Sequence, residues 1–179
     1  AATSGEITQV GQGVRVDLKS NDPFKRWVQT SVIRGTANGS VSAIAYAALG
    51  DITADQFRAL AKIQRDLNAD VRLTNRQNVV FRALTENQLE ILYKALEVIG
   101  MAQPGAELAR DVVACPGADT CNIAITQSRG LAKAIGEALE EEGLAEVGGV
   151  RINISGCTNS CGQHHASDIG FFGAERRAH

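Results

Sequence analysis

All four cysteines of the chain lie beyond residue 114, in two pairs whose spacing suits an iron-sulfur cluster. Cys115 and Cys121 form a C-x5-C pair, and Cys157 and Cys161 follow as a C-x3-C pair. Four unrelated core thiols would not be gathered in this way. A cubane cluster needs four thiolates that reach it from different sides, and two short loops with two ligands each meet that need. The spacing therefore predicts a 4Fe-4S site on these four cysteines.

The spacing alone does not exclude other roles for the cysteines, which are structural zinc, disulfides and inert thiols. Structural zinc sites usually place two to four residues between paired ligands, so the gap of five residues between Cys115 and Cys121 is awkward for zinc. Disulfides or inert thiols are the remaining alternative. Disulfides are disfavoured because the N-terminus has no basic region followed by an apolar run, as a secretion signal would have.

The elements around the cysteines are expected to bring the two pairs together. Apolar strands are predicted at 112–114 and 150–154, each directly before a cysteine pair, and a further strand is predicted at 169–172. A helix is predicted from about Cys121 to residue 142. The positive end of its dipole would then face the negatively charged cluster. Glycines beside the cysteines would let the backbone approach a bulky inorganic core: Gly117, Gly156 and Gly162.

The preceding hundred residues predict an α+β unit. Alternating apolar residues between 10 and 49, including 14–18 and 41–46, predict strands, with turns at 21–23 and 38–39. Thr53 and Thr85 are each followed three positions later by Gln, which predicts two capped helices.

Two short strands are predicted between those helices, at 71–74 and 79–81. The resulting order of strand, helix, strand, strand and helix is that of a ferredoxin-like α+β unit that closes near Gly100. We place the domain boundary at the Gln103–Gly105 segment, which divides the chain into 1–103 and 104–179.

Composition excludes some classes of function. The chain has 18 Lys plus Arg against 20 Asp plus Glu, so it offers no electrostatic reason to bind nucleic acid or an anionic membrane. No apolar run is long enough to span a bilayer, and we expect a soluble, cytoplasmic protein. The missing initiator Met and the abrupt end at His179 suggest a piece of a longer polypeptide.

Three segments, in order, resemble the nitrite and sulfite reductase family: VRLTNRQN at 71–78, ACPGADTCNIA at 114–124 and NISGCTNSCG at 153–162. The resemblance runs from about Phe24 to Gly173. It implies a ferredoxin-like half-domain followed by a mixed α/β iron-sulfur and sirohaem-binding domain, here incomplete. It also implies that the four cysteines hold a 4Fe-4S centre coupled to sirohaem, with Cys161 shared between the cluster and the sirohaem iron.

The function implied by the resemblance is a six-electron reduction, of sulfite to sulfide or of nitrite to ammonia. The electron donor would be a ferredoxin or a flavoprotein. Members of the family are longer chains of two related halves, and the basic residues that grip the substrate lie largely in the first half. The chain is therefore expected to need its missing N-terminal half as a partner, and we assign no catalytic residue within it. Little in the sequence separates the two substrates, and sulfite is marginally preferred.

The resemblance also suggests sirohaem contacts in the first segment and in the C-x3-C loop. The candidates are Arg72, Thr74, Arg76, Gln77 and Asn159. Guanidinium groups suit the carboxylates of sirohaem because they donate paired hydrogen bonds. A polar turn between strands, or an Asx turn at Asn159, would use the same residue types without any ligand.

His164 and His165 follow the last cysteine closely, but four thiolates already complete a cluster. We therefore do not assign them as iron ligands, and a role in proton relay or partner contact stays open. The alternative to a reductase is a non-catalytic iron-sulfur module for electron transfer or redox sensing. Sirohaem binding would separate the two, and a zinc-stabilised interaction domain is a more distant third.

Overall fold

The computed structural model describes residues 21–35 and 40–175, which form two β-sheets with helices packed against them. Within the described residues, the first unit contains four strands and three α-helices. In chain order these are α1 (Pro23–Ser31), β1 (Val32–Arg34), β2 (Val41–Ala45), α2 (Ala54–Leu67), β3 (Asp70–Leu73), β4 (Val79–Leu84) and α3 (Leu89–Val98).

The strands of the first unit form an antiparallel sheet in the order β1-β2-β4-β3. Alternate residues of β2 and β4 enter one core, in which Trp27, Phe81 and Leu92 are fully or almost fully buried. Because successive side chains of a strand point to opposite faces, Ile44 and Val80 face the other side. Burying each large apolar side chain contributes about 1.5–3 kcal/mol. The predicted α+β, ferredoxin-like class is confirmed.

The second unit is a parallel sheet in the order β5-β6-β7, with one long helix. Its elements are β5 (Val113–Ala114), α4 (Ser128–Glu141), β6 (Ile152–Ser155) and β7 (Ile169–Phe172). Ala132 of the helix packs with Val112, Ile152 and Ile154 of the sheet region in a second core. The three strands predicted from the sequence are thus all present.

The capping prediction holds at α2. The Thr53 hydroxyl accepts a hydrogen bond from the Gln56 amide (3.2 Å), and the Gln56 side chain accepts one from the Thr53 amide (2.9 Å). These two bonds satisfy N–H groups that a helix start otherwise leaves free.

The turn predicted at 21–23 is wrong, because α1 begins there. The Asp22 carboxylate accepts hydrogen bonds from the amides of Phe24 (3.0 Å) and Lys25 (3.4 Å), and Pro23 occupies the first helical position. A side-chain acceptor followed by proline is a helix start as well as a turn signal. The strand predicted at 14–18 and the turn predicted at 38–39 lie outside the described residues.

The helix predicted from Cys121 begins seven residues later, at Ser128. The intervening backbone is used otherwise, since the amides of Ile125 (2.8 Å) and Thr126 (3.1 Å) both donate to the carbonyl of Gly156. Cys121 therefore does not lie at a helix N-terminus, and the prediction that it would do so is wrong.

None of the helices in the described part of the chain is long and apolar enough to cross a membrane. The longest, α2 and α4, have 14 residues each, whereas a crossing needs about 20 apolar residues.

Candidate iron-sulfur site

The parallel pairing of β5 and β6 brings the two cysteine pairs to one edge of the sheet. Ala114 lies opposite Ile154 in the register of these strands. Cys115 directly follows β5, and Cys157 lies two residues beyond the end of β6. Because parallel strands end at the same edge of a sheet, both loops leave the sheet side by side.

The two cysteine loops are in direct contact. The Gly156 amide donates a hydrogen bond to the Cys115 sulfur (3.1 Å). A Cβ atom on Gly156 would lie 2.9 Å from the Cα of Gly117 and 3.2 Å from the Cβ of Ala124. Since real Cβ atoms essentially never come closer than about 3.0 Å to such neighbours, glycine is needed for this approach.

The Cys115 thiol lies in surroundings that favour its ionised form. It is 8% exposed, and its sulfur lies 3.4 Å from the hydroxyl of Ser128. Burial alone would raise its pKa, but hydrogen bonds from Ser128 and from the amides of Gly156 and Gly117 outweigh burial, and the pKa is lowered. The thiolate, which is the form that binds metal, is thereby favoured.

The other three cysteines are more accessible. Cys121 and Cys157 are half-buried, Cys161 is exposed, and all four are free of disulfides. Among residues 21–35 and 40–175, no three or more His, Cys, Asp or Glu side chains converge as they would around one metal ion. A single zinc ion holds its sulfurs at about 2.3 Å from a common centre. A cubane cluster binds each thiolate to a different iron, so its ligands are spread more widely.

The polar turn between β3 and β4 points at the chain that leads into Cys115. Arg76 is 7% exposed, and its guanidinium donates to the carbonyls of Glu107 (2.6 Å) and Asp111 (3.2 Å). The Gln77 side-chain amide donates to the Ala114 carbonyl (3.1 Å). Two of the residues suggested as sirohaem contacts are therefore engaged with backbone next to the cysteine loop.

The remaining suggested sirohaem contacts are placed differently. Arg72 is exposed and forms an ion pair with Asp70 on the same strand. The Thr74 hydroxyl accepts a hydrogen bond from the Asn78 amide (3.1 Å) within the turn. Asn159 is exposed in the loop between Cys157 and Cys161. Arg72 and Asn159 are the members of the set whose side chains are open to a ligand.

Sequence reasoning missed a buried carboxylate beside this turn. Asp111 is 2% exposed, and one of its oxygens accepts hydrogen bonds from the Asn78 side chain (2.7 Å) and from the Glu107 amide (3.0 Å). Burial raises the pKa of Asp111, against the lowering effect of the Glu107 amide and then of Arg76. An acidic residue directly before an apolar strand was the available signal.

His164 is buried and His165 is exposed. The Nδ1 atom of His164 lies 2.9 Å from the hydroxyl of Ser155, and its ring stacks on Phe172 at 5.1 Å between centroids. Burial, followed by the neighbouring His165, lowers the pKa of His164. His164 therefore holds the end of β6 against β7, with a contact to Ser155 on one strand and to Phe172 on the other.

Residues 36–99 match the family model described as the nitrite/sulfite reductase ferredoxin-like half domain, and residues 105–179 match that of the nitrite and sulphite reductase 4Fe-4S domain. Together the two models match most of the chain.

Individual relatives agree with these matches. A ferredoxin–nitrite reductase of Synechococcus elongatus is 35% identical over 72% of this chain and 25% of its own length. The NADPH sulfite reductase hemoprotein β-component of Bacillus pumilus is 30% identical over 65% of this chain and 21% of its own. The solved structure of Mycobacterium tuberculosis NirA protein aligns with a TM-score of 0.69 at 26% identity, covering 83% of this chain and 28% of that one. The chain thus spans about a quarter of the length of these relatives.

Proposed function

The chain belongs to the nitrite and sulfite reductase family, and on that premise we propose that it is the cluster-bearing part of a sirohaem-dependent reductase. The reaction would be the six-electron reduction of sulfite to sulfide or of nitrite to ammonia. Its relatives support both substrates, since they include a nitrite reductase and a sulfite reductase. Because the chain spans about a quarter of their length, the remainder of such an enzyme would supply the groups that bind the substrate.

The observation that carries the proposal is the meeting of two cysteine loops at one edge of a parallel sheet. Cys115, Cys121, Cys157 and Cys161 would hold the cluster, with Cys161 shared with the sirohaem iron. The residues present fit a thiolate-bound cluster, because the Gly156 amide donates to the Cys115 sulfur and the pKa of this thiol is lowered. A bound 4Fe-4S cluster would supply single-electron transfer, which a reduction by six electrons requires.

The residues of the chain contribute in three ways. The thiolates would bind iron, the amides and hydroxyl around Cys115 would stabilise its negative charge, and the glycine at 156 lets the two cysteine loops approach each other closely. For sirohaem we propose contacts from Arg72 and Asn159, because the other suggested residues, Thr74, Arg76 and Gln77, already make hydrogen bonds within the chain. Of the two, the exposed Arg72 is the side chain best suited to a carboxylate.

The partners would be sulfite or nitrite, the missing first half of the enzyme, and an electron donor. Relatives whose names specify ferredoxin and NADPH support a donor of the ferredoxin or flavoprotein type. We propose a cytoplasmic location, and a domain boundary at 103–104, which falls between the two family matches.

Anaerobic reconstitution with iron and sulfide tests the assignment of the cysteines. We expect about four irons and four labile sulfides per chain, with the broad visible absorption of a cluster. Each of the four Cys→Ser variants should lose most of this iron. Gly136→Ala, which adds a methyl group to α4 where nothing lies within 4 Å, is the matched control and should retain it.

One zinc per chain in place of iron, or iron uptake in the four Cys→Ser variants that equals the uptake of the wild type, would contradict the cluster assignment. Sirohaem is tested separately by adding it to the full-length enzyme. A protein that binds the cluster but shows no chlorin-like absorption bands would be a non-catalytic electron-transfer or redox-sensing module.

A further inference from the structure

We propose that Gln77 is a positioning residue that fixes the Cys115 loop, acting through the carbonyl oxygen of Ala114. Only the spectroscopic test of this proposal rests on the proposed function, because that test needs a bound cluster. The contact between Gln77 and Ala114 is present in the polypeptide without any metal. It assigns to this turn a task other than contact with sirohaem. Gln77 lies in the ferredoxin-like unit and Ala114 in the cluster-binding unit, so the contact joins the two.

The side chain of Gln77 ends one residue away from a proposed iron ligand. Its Nε2 atom donates to the Ala114 carbonyl at 3.1 Å, and Ala114 is 2% exposed. A buried carbonyl without a donor costs about 1–3 kcal/mol. The next amide in the chain, that of Cys115, donates to Ile154 at 3.1 Å. The peptide that precedes the Cys115 side chain is thus held by Gln77 on one side and by β6 on the other.

Gln77 is itself held in place. Its φ angle is 66°, in the left-handed region, and its amide donates to the Thr74 carbonyl at 3.1 Å. A Cβ atom on Gly50 would lie 2.9 Å from the Cβ of Gln77 and 3.0 Å from its Cδ. Gly50 therefore leaves the room that the Gln77 side chain occupies, and this packing directs the amide toward Ala114.

The neighbours of Gln77 hold the same segment farther upstream. Arg76 donates to the carbonyls of Glu107 and Asp111, and the Asn78 side chain donates to the Asp111 carboxylate. Three successive residues of one turn thus reach the segment 107–114. Of these three residues, Gln77 makes its contact closest to Cys115. The contact needs an N–H donor, because a carboxylate at this position would face the carbonyl oxygen of Ala114.

The contact can be tested in the full chain without metal. We would label the reduced, cluster-free protein with iodoacetamide under anaerobic conditions and follow each cysteine separately by mass spectrometry. Gln77→Glu removes the donor at constant size, and Gln77→Met removes it without adding charge. Gln64→Glu is the matched control, because the Gln64 amide also donates to a backbone carbonyl, that of Ala69 (2.9 Å), on a helix far along the chain from the cysteines.

We expect both Gln77 variants to label Cys115 about five- to tenfold faster than the wild type, as the loss of one buried hydrogen bond predicts. Labelling of Cys157 and Cys161 should change less than twofold, and Gln64→Glu should leave all rates within twofold. After reconstitution, the electron paramagnetic resonance spectrum of the reduced cluster should shift in the Gln77 variants and not in the control.

Two results would overturn the proposal. One is labelling of Cys115 in both Gln77 variants at the rate found in the Gln64 control. The other is an equal rise at all four cysteines, which would show general loss of stability instead of positioning. If circular dichroism shows that Gln77→Glu does not fold, Gln77→Met decides the matter. If the wild type takes up no iron, the proposed function fails, while the labelling comparison still tests the position of Cys115.

Discussion

The contact between the two cysteine loops can be broken with one methyl group. In Gly156→Ala the added Cβ would meet the Cα of Gly117 at 2.9 Å and the carbonyl oxygen of Thr126 at 3.0 Å. Both are backbone atoms, so neither can rotate away, and the loops themselves must separate. Forcing an extra methyl group into a packed site typically costs about 1–3 kcal/mol. We expect Gly156→Ala to lower the free energy of unfolding by that amount and to reduce iron uptake.

Gly136→Ala is the matched control for this change. Gly136 lies inside α4, and an added Cβ would meet nothing within 4 Å. Alanine in a helix interior is more favourable than glycine by about 0.5–1 kcal/mol, so this variant should be stabilised. The same chemical change is thus expected to act in opposite directions at two positions of one unit.

Urea unfolding of the reduced, cluster-free chain, followed by far-ultraviolet circular dichroism, measures both variants. Iron and labile sulfide are then counted after anaerobic reconstitution. If Gly156→Ala unfolds like the wild type and binds the same iron, the close approach of the loops is not a condition for the site. If Gly136→Ala is as destabilised as Gly156→Ala, the loss reflects general sensitivity to glycine replacement.

Three further predictions concern titratable groups and the Cys115 environment. Burial raises the pKa of Asp111, so its contribution to stability is present at acidic pH and lost as pH rises through the folded pKa. In the wild type the free energy of unfolding should therefore fall as pH rises above about 4, where an unfolded Asp titrates, and this fall should be smaller in Asp111→Asn. Urea unfolding at several pH values measures it, and the same dependence on pH in both proteins would contradict the prediction. Burial and then His165 lower the pKa of His164, so the protein should lose stability as pH falls below about 6.5. Thermal melts at pH 7.5 and 5.5 measure this loss, and it should be absent in His164→Gln. Ser128→Ala removes a hydrogen bond that lowers the pKa of Cys115, and the midpoint of iodoacetamide labelling against pH should move upward at this cysteine alone.

The parts of the fold that sequence predicted well are those specified by neighbours in the chain. The capped start of α2 at Thr53 needs a hydroxyl and an amide three residues apart, and both are visible in the sequence. The strands β3 and β4 show alternating apolar residues, and β6 leads directly to Cys157 as expected. The meeting of the two cysteine loops at one edge of the sheet was also predictable, because both pairs follow strands that could be recognised.

The parts that failed depend on contacts distant in the chain. Helical periodicity extends back to Cys121, yet the carbonyl of Gly156 takes the amides of Ile125 and Thr126 and holds this stretch as a loop. Nothing local identifies a carbonyl some thirty residues away as their partner. At α1 the local signal was ambiguous instead, because Asp22 followed by proline begins turns and helices alike.

The polar turn between β3 and β4 shows that residue types alone do not identify the partner of a side chain. Arginine and glutamine suit the carboxylates of a macrocycle, and they suit backbone carbonyls equally well, because both uses require N–H donors. Only the approach of the segment 107–114 distinguishes the two, and it directs Arg76 and Gln77 toward backbone. Both terminal nitrogens of the Arg76 guanidinium already donate to carbonyls, so a bidentate grip on an external carboxylate would require it to leave them. We therefore expect that Arg72, which is exposed on the adjoining strand, is the arginine of this region that binds an external carboxylate.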